Sequence, residues 1–79
     1  MIEEYRKRVD GIDNRIVSLL SERFKVSGKI VEFKKKNKIK VKDKKREEKI
    51  VERLAKGSDL DKNLIKKFYK IIFKFSRKG

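Results

Sequence analysis

The sequence predicts an all-α protein built from one long amino-terminal helix and two shorter helices. Three observations predict this class. The 79 residues contain no proline, the residue that most strongly breaks helices. Apolar side chains recur every three and then four residues over residues 2–36, which is the spacing of a helical packing seam. Two further amphipathic segments follow, each preceded by an aspartate suited to capping a helix.

The first helix is predicted over residues 2–36. Nine of the ten positions in its seam are apolar and the tenth is Arg23: Ile2, Tyr5, Val9, Ile12, Ile16, Leu19, Arg23, Val26, Ile30 and Phe33. At about 1.5 Å per residue such a helix spans roughly 52 Å, whereas a compact chain of this length has a diameter of about 30 Å. Two shorter helices can cover only part of this seam, so we expect a second copy of the chain to bury the rest.

The second and third helices are predicted from their caps. Asp43 begins a helix that ends near Gly57 and turns three apolar side chains inward: Ile50, Val51 and Leu54. Asp61 caps the third helix. The predicted buried face of that helix consists of Leu64, Ile65, Phe68, Ile71, Ile72 and Phe75. The three helices together predict a single domain over residues 1–79.

Composition restricts the possible chemistry. Cysteine and histidine are absent, which argues against disulfides, a thiolate nucleophile and the commonest metal ligands. No run approaches about 18 uncharged apolar residues, and no signal-peptide pattern opens the chain. We therefore expect a cytoplasmic protein without a membrane span, metal or cofactor. The net charge of +14 indicates either an anionic partner or a basic, well-solvated surface.

Four charged residues lie on or beside apolar faces, where charge is costly: Arg23, Lys34, Arg46 and Glu47. A guanidinium in a packing seam costs several kcal/mol, of the order expected for a buried ion, unless it is paired or binds an anion. Arg23 is therefore a candidate anion ligand, a register-fixing polar residue, or the partner of a carboxylate such as Glu47. Lys34 points in nearly the same direction about 16 Å further along the helix.

Arg6 precedes Arg23 by 17 residues, which places it about 25 Å away along a rigid helix. It cannot reach an anion held by Arg23 and Lys34 of its own chain. In an antiparallel dimer, however, the partner's Arg6 could enter that site.

A wider pattern resembles the all-helical chorismate mutases. It consists of Tyr5-Arg6, Val9, Ile12-Asp13, Ile16, Leu19-Leu20, Glu22-Arg23, Lys34 and Asp43-x-x-Arg46-Glu47. The resemblance covers nearly the whole chain. It implies an intertwined, helix-swapped homodimer that rearranges chorismate to prephenate, in phenylalanine and tyrosine synthesis, without a metal or cofactor.

The resemblance also implies roles for individual residues. It makes Lys34, Arg23 and Arg46 catalytic, with Lys34 on a carboxylate and the ether oxygen of the substrate. The implied substrate-binding residues are Arg6 from the partner chain, Arg23, Lys34, Asp43, Arg46, Glu47 and Ser76. Asp43, through its backbone, and Glu47 would hold the ring hydroxyl, and Ser76 would lie near a carboxylate.

One position departs from the family pattern. The family usually places Gln or Glu four residues after the serine, which here would be position 80, whereas the sequence ends at Gly79 and contains no glutamine. Losing one such donor typically lowers a rate by roughly 100- to 1,000-fold, so we expect impaired activity. Two alternatives are an isochorismate-pyruvate lyase and a basic helical dimer that binds nucleic acid. The latter rests on the charge and on nine Lys or Arg residues among residues 34–46.

Overall fold

The computed structural model describes residues 1–77 and contains three helices: α1 (Ile2–Lys36), α2 (Lys44–Lys56) and α3 (Lys62–Ser76). No strand occurs within that range. The predicted all-α class, with one long and two short helices, is confirmed. The last two residues of the predicted domain, and the position where the family pattern departs, lie outside the described part of the chain. None of the helices described is long and apolar enough to cross a membrane.

Local signals explain where α1 begins and ends. Glu3 and Glu4 lie in its first turn and three lysines lie in its last turn, an arrangement that complements the helix dipole. At the carboxyl end, the Asn37 side-chain amide donates to the carbonyl oxygen of Phe33 at 2.8 Å. Lys38 then adopts a φ of 55°, and this left-handed residue turns the chain away from the helix axis.

The two aspartate caps predicted from sequence are confirmed. Asp43 accepts a hydrogen bond from the backbone N–H of Arg46 at 3.0 Å. Asp61 accepts one from the backbone N–H of Asn63 at 2.7 Å. Each bond satisfies a first-turn donor that has no partner within its own helix. The caps therefore fix where α2 and α3 begin, and α2 ends at Gly57 as the sequence predicts.

The core lies between α2 and α3. Four buried side chains form its centre: Ile50, Val51, Ile65 and Phe73. An ion pair joins the first turn of α2 to the end of α3, which shows that these two helices run antiparallel. α3 also packs against α1, whose one buried residue is Val31. α3 therefore connects the other two helices.

Within one chain, the predicted buried face of α3 is only partly covered. Ile65 and Ile72 are buried, but four other members of that face are more than 40% exposed: Leu64, Phe68, Ile71 and Phe75. Phe73, which was not among them, is buried. The apolar surface of α3 is too broad for the sequence to specify a single inward face, and the position of α2 selects the row that contains Ile65 and Phe73.

The amino-terminal half of α1 projects from the rest of the chain. We call residues 2–19 the arm, and every residue in it is exposed. The molecule measures 55 × 24 × 16 Å and has a radius of gyration of 15.6 Å, compared with about 11–12 Å for a compact chain of this length. The arm therefore leaves the first half of the predicted seam uncovered within one chain.

Candidate active site

A cavity of about 180 Å³ lies where the second half of α1 meets the beginning of α2 and the end of α3. We call this region the junction. The cavity is lined by six of the seven residues that the sequence singles out: Arg23, Lys34, Asp43, Arg46, Glu47 and Ser76. They come from all three helices and from the loop before α2. The folded chain thus brings together polar and charged residues that are up to 53 positions apart.

Arg23 lies on the α1 side of the cavity and is half-buried. Its Nη1 donates to Ser76 Oγ at 3.0 Å, and Ser76 Oγ in turn donates to the carbonyl oxygen of Ile72 at 2.7 Å. The guanidinium carbon also lies 5.7 Å from the ring centroids of Tyr69 and Phe73, within reach of cation–π attraction. These contacts hold a cation at the edge of an otherwise apolar seam.

The alternative in which Arg23 pairs with Glu47 is wrong. Glu47 forms its ion pair with Arg77, and within residues 1–77 Arg23 forms no ion pair with a carboxylate. Its polar contact is the neutral hydroxyl of Ser76. The positive charge of Arg23 is therefore directed into the junction without a neutralising carboxylate.

Lys34 lies three turns further along α1 and lines the same cavity. Its side chain is half-buried, and its Nζ donates to the carbonyl oxygen of Val41 at 3.4 Å. This bond brings the loop between α1 and α2 back against α1, which is how residues near the start of α2 come to face Arg23. Because a carbonyl carries no net charge, the ammonium remains available to an anion.

The beginning of α2 forms the opposite side of the cavity. Asp43 uses its carboxylate to cap the helix, while Arg46 and Glu47 occupy the first turn and line the cavity. Arg46 is exposed in the single chain, and Glu47 is half-buried. The positive end of the α2 dipole also points toward this region, which favours a bound anion.

Arg77 is a site residue that the sequence prediction missed. It follows α3 directly, lines the cavity and forms an ion pair with Glu47. Arg77 shares a helix face with Phe73, one turn earlier, but Phe73 was not on the predicted buried face, so the sequence offered no signal for Arg77. The cavity is thus lined by four cations and two carboxylates. That balance leaves two excess positive charges, which suits a small dianion.

A second, larger cleft of about 520 Å³ lies between α2 and α3. It shares Glu47, Phe73 and Arg77 with the junction cavity, but its remaining charged side chains are exposed. Six cations and three glutamates line it, so it also has an excess of positive charge, but most of that charge lies on exposed lysines. Apart from the shared Arg77, this cleft has no half-buried cation, whereas the junction cavity also has Arg23 and Lys34. In the described part of the chain, no cluster of three or more acidic or other metal-binding side chains occurs.

Arg6 lies in the arm and does not line the cavity of its own chain. Its Nη1 pairs with Glu3 at 3.2 Å, and both side chains are more than two-thirds exposed. An exposed pair between neighbouring turns of one helix contributes little to stability, so Arg6 is free to exchange Glu3 for another anion.

The family model described as chorismate mutase type II matches residues 5–79. This chain belongs to the type II chorismate mutase family. A chorismate mutase of Methanocaldococcus jannaschii is 32% identical across a 79-residue alignment, which covers 96% of this chain and 80% of the relative. No solved structure shows a significant match. The type II chorismate mutase assignment confirms the family suggested by the sequence pattern and supports neither of the two alternatives.

Proposed function

We propose that the junction cavity binds chorismate and rearranges it to prephenate. The observation that carries this proposal is the group of cations around one small cavity, with an excess of two positive charges over the carboxylates. Chorismate carries two carboxylates, so its charge complements this lining. Membership of the chorismate mutase family supplies the reaction class.

The chemistry suits a site that supplies positive charge and no nucleophile, metal or cofactor. The rearrangement is intramolecular: a carbon–oxygen ether bond breaks while a carbon–carbon bond forms, and no proton changes place. The site has to hold a flexible dianion in its compact, reactive shape. It also has to place positive charge where the ether oxygen becomes negative, and each such donor typically contributes about 2.7–4 kcal/mol.

Within one chain, we assign the charged residues as follows. Arg23, oriented by Ser76, binds a substrate carboxylate. Lys34 binds a carboxylate and the ether oxygen, and Arg46 adds positive potential from the beginning of α2. Asp43, through its backbone, and Glu47 hold the ring hydroxyl. The half-burial of Arg23 and Lys34 supports their central roles, since partial burial strengthens their interaction with an anion.

We further propose a helix-swapped homodimer in which the partner's Arg6 completes each site. Two observations support a second copy. The arm presents an exposed apolar row at the same spacing as the rest of the seam, and α3 presents another exposed apolar row in Leu64, Phe68, Ile71 and Phe75. The cavity is also smaller than the roughly 300–1,000 Å³ of most ligand sites, as expected if the partner's arm supplies a missing wall.

Turnover of chorismate tests the reaction. We expect the protein to remove the ultraviolet absorbance of chorismate saturably and to form prephenate. Isochorismate, offered in parallel, should yield no salicylate or pyruvate. Absence of chorismate turnover at high protein concentration would refute the proposed activity.

Mixed dimers test the shared site. We expect Arg6→Ala and Arg23→Ala each to be nearly inactive alone. When the two chains are unfolded and refolded together, half of the dimers pair unlike chains, and each such dimer contains one intact site. Activity should therefore recover to about a quarter of the wild-type value per chain, as a two-fold symmetric dimer requires.

The matched control is a mixture of Arg23→Ala chains with Lys34→Ala chains, refolded together in the same way. Both residues lie in the same chain's half of the site, so every mixed dimer would carry two damaged sites and no activity should return. Equal recovery in the two mixtures, or recovery in neither, would contradict the contribution of Arg6 from the partner.

A further inference from the structure

Arg77 and Glu47 form the one ion pair between different helical elements in the described part of the chain. Arg77 Nη1 donates to Glu47 Oε2. The two side chains are 31% and 22% exposed, whereas those of the Arg6–Glu3 pair on the arm are 68% and 73% exposed. Salt and water screen a partly buried pair less than a surface pair. The geometry of Glu47 is therefore set by a residue that the assigned substrate contacts do not include.

Glu47 needs such a partner if the cavity binds a dianion. A carboxylate beside two substrate carboxylates is repelled by them unless a nearby cation offsets its charge. Arg77 supplies that cation and lines the same cavity. Because the guanidinium engages Oε2, the rotation of the carboxylate is restricted, and Oε1 remains as a second acceptor oxygen.

We propose that Arg77 is a positioning residue, which fixes the Glu47 carboxylate so that it accepts a hydrogen bond from the ring hydroxyl of the substrate. This inference rests on the proposed function. Arg77 itself touches no substrate in this arrangement and acts through Glu47. Its planar guanidinium suits the task better than an ammonium, since its N–H groups form a rigid fork that matches a carboxylate.

The end of α3 supports this role. Ser76 contacts Arg23, and the next residue, Arg77, contacts Glu47. Two consecutive residues thus orient one cation on α1 and one carboxylate on α2. The same helix end thereby sets the distance between a carboxylate-binding group and a hydroxyl-binding group.

The test compares two substrates with the same enzyme preparation: chorismate and an analogue that lacks the ring hydroxyl. We expect Arg77→Met to lower kcat/KM for chorismate roughly 10-fold or more, the size of a hydrogen bond to a charged group. For the analogue the loss should be smaller, because removing the Arg77 charge affects both substrates whereas only chorismate has a hydroxyl to position. The ratio of the two values does not depend on the fraction of folded protein.

A double-mutant cycle provides the second readout. In a Glu47→Gln background, Arg77→Met should change kcat/KM for chorismate by about twofold or less, because its partner is already lost. Arg77→Lys keeps the charge without the fork and should recover part of the loss. Arg53→Met serves as the matched control, because Arg53 is exposed and lines neither cavity. This variant should have the wild-type kcat/KM for both substrates.

The possible outcomes distinguish failure of the proposed Arg77 role from failure of the proposed chorismate mutase activity. Equal losses for the two substrates, or additive losses in the cycle, would overturn the positioning role while chorismate turnover by the wild type stands. A wild-type protein that leaves chorismate unchanged would overturn both. A selective loss for chorismate that disappears in the Glu47→Gln background establishes the role.

Discussion

The two halves of α1, the arm and the half that lines the junction, differ in how much of the rest of the chain contacts them. Residues of the arm are all exposed, although their apolar positions repeat as regularly as those further along. In the junction half, Val31 is buried, and Arg23 and Lys34 are held by contacts with α3 and with the loop before α2. A single chain therefore gathers most of the candidate site, while the apolar side chains of the α1 seam stay exposed in both halves, Val26, Ile30 and Phe33 included. Part of the second half is covered, because Arg23 contacts α3 and Val31 is buried, whereas nothing in the described chain covers the arm.

Ile12→Asp should break this arrangement most severely. Ile12 is 44% exposed in the single chain, so the proposed partner is what would bury it. Association can bury only the exposed part of Ile12, so losing two such residues, one per subunit, should weaken it by about 1–3 kcal/mol, and the added charges raise that cost. Analytical ultracentrifugation should show a monomer at concentrations where the wild type is a dimer.

Ser18→Asp is the matched control for this change. It places the same charge on the arm, at an exposed position outside the seam, and we expect the dimer to persist. If Ile12→Asp associates as tightly as Ser18→Asp, the arm is not the dimer interface.

Arg23→Ala tests the junction half. We expect kcat/KM for chorismate to fall roughly 100- to 1,000-fold, or about 2.7–4 kcal/mol, the usual effect of removing one preorganised donor. Helical content by circular dichroism should be nearly unchanged, because the side chain is only half-buried.

Lys25→Ala provides the comparison for Arg23→Ala. Lys25 lies two residues after Arg23, in the same turn of α1, but does not line the cavity. The kcat/KM of this variant should therefore remain close to that of the wild type. A similar loss in both variants would show that general positive potential, rather than the placement of Arg23, supports turnover.

The smallest effects should come from the two glycines of α1, one in each half. A Cβ atom added at Gly11 or at Gly28 meets nothing within 4 Å. Alanine at either position should therefore stabilise the protein by about 1 kcal/mol through helix propensity, measured by denaturant unfolding. A gain at Gly28 together with a loss at Gly11 would contradict this expectation and would mean that the partner's backbone approaches the arm closely.

Much of the fold could be predicted because its signals are local. The absence of proline and the regular apolar spacing specified α1, and the aspartates at positions 43 and 61 specified where α2 and α3 begin. The inward face of α3 could not be predicted in the same way. Its apolar residues cover so much of the helix that the choice between Phe73 and Phe75 depends on where α2 lies, which no local pattern encodes.

The candidate site likewise contains residues that local spacing predicts and residues that only tertiary packing brings together. Arg23 and Lys34 share a face of one helix, so their spacing alone predicts that they point in a common direction. Whether Glu47 lies near them depends on the path of the loop between α1 and α2, which packs back against α1. Arg77 was missed because its contact with Glu47 joins the end of α3 to the beginning of α2. That contact follows from tertiary packing, which no local pattern encodes.

Because α1 is one continuous helix, it carries Arg6 at one end and Arg23 near the middle, and in the proposed dimer these two residues serve different sites. Neither site could then be complete in an isolated subunit. Specific activity would depend on total enzyme: it would decline upon dilution as dimers separate, and it would return when the solution is concentrated again.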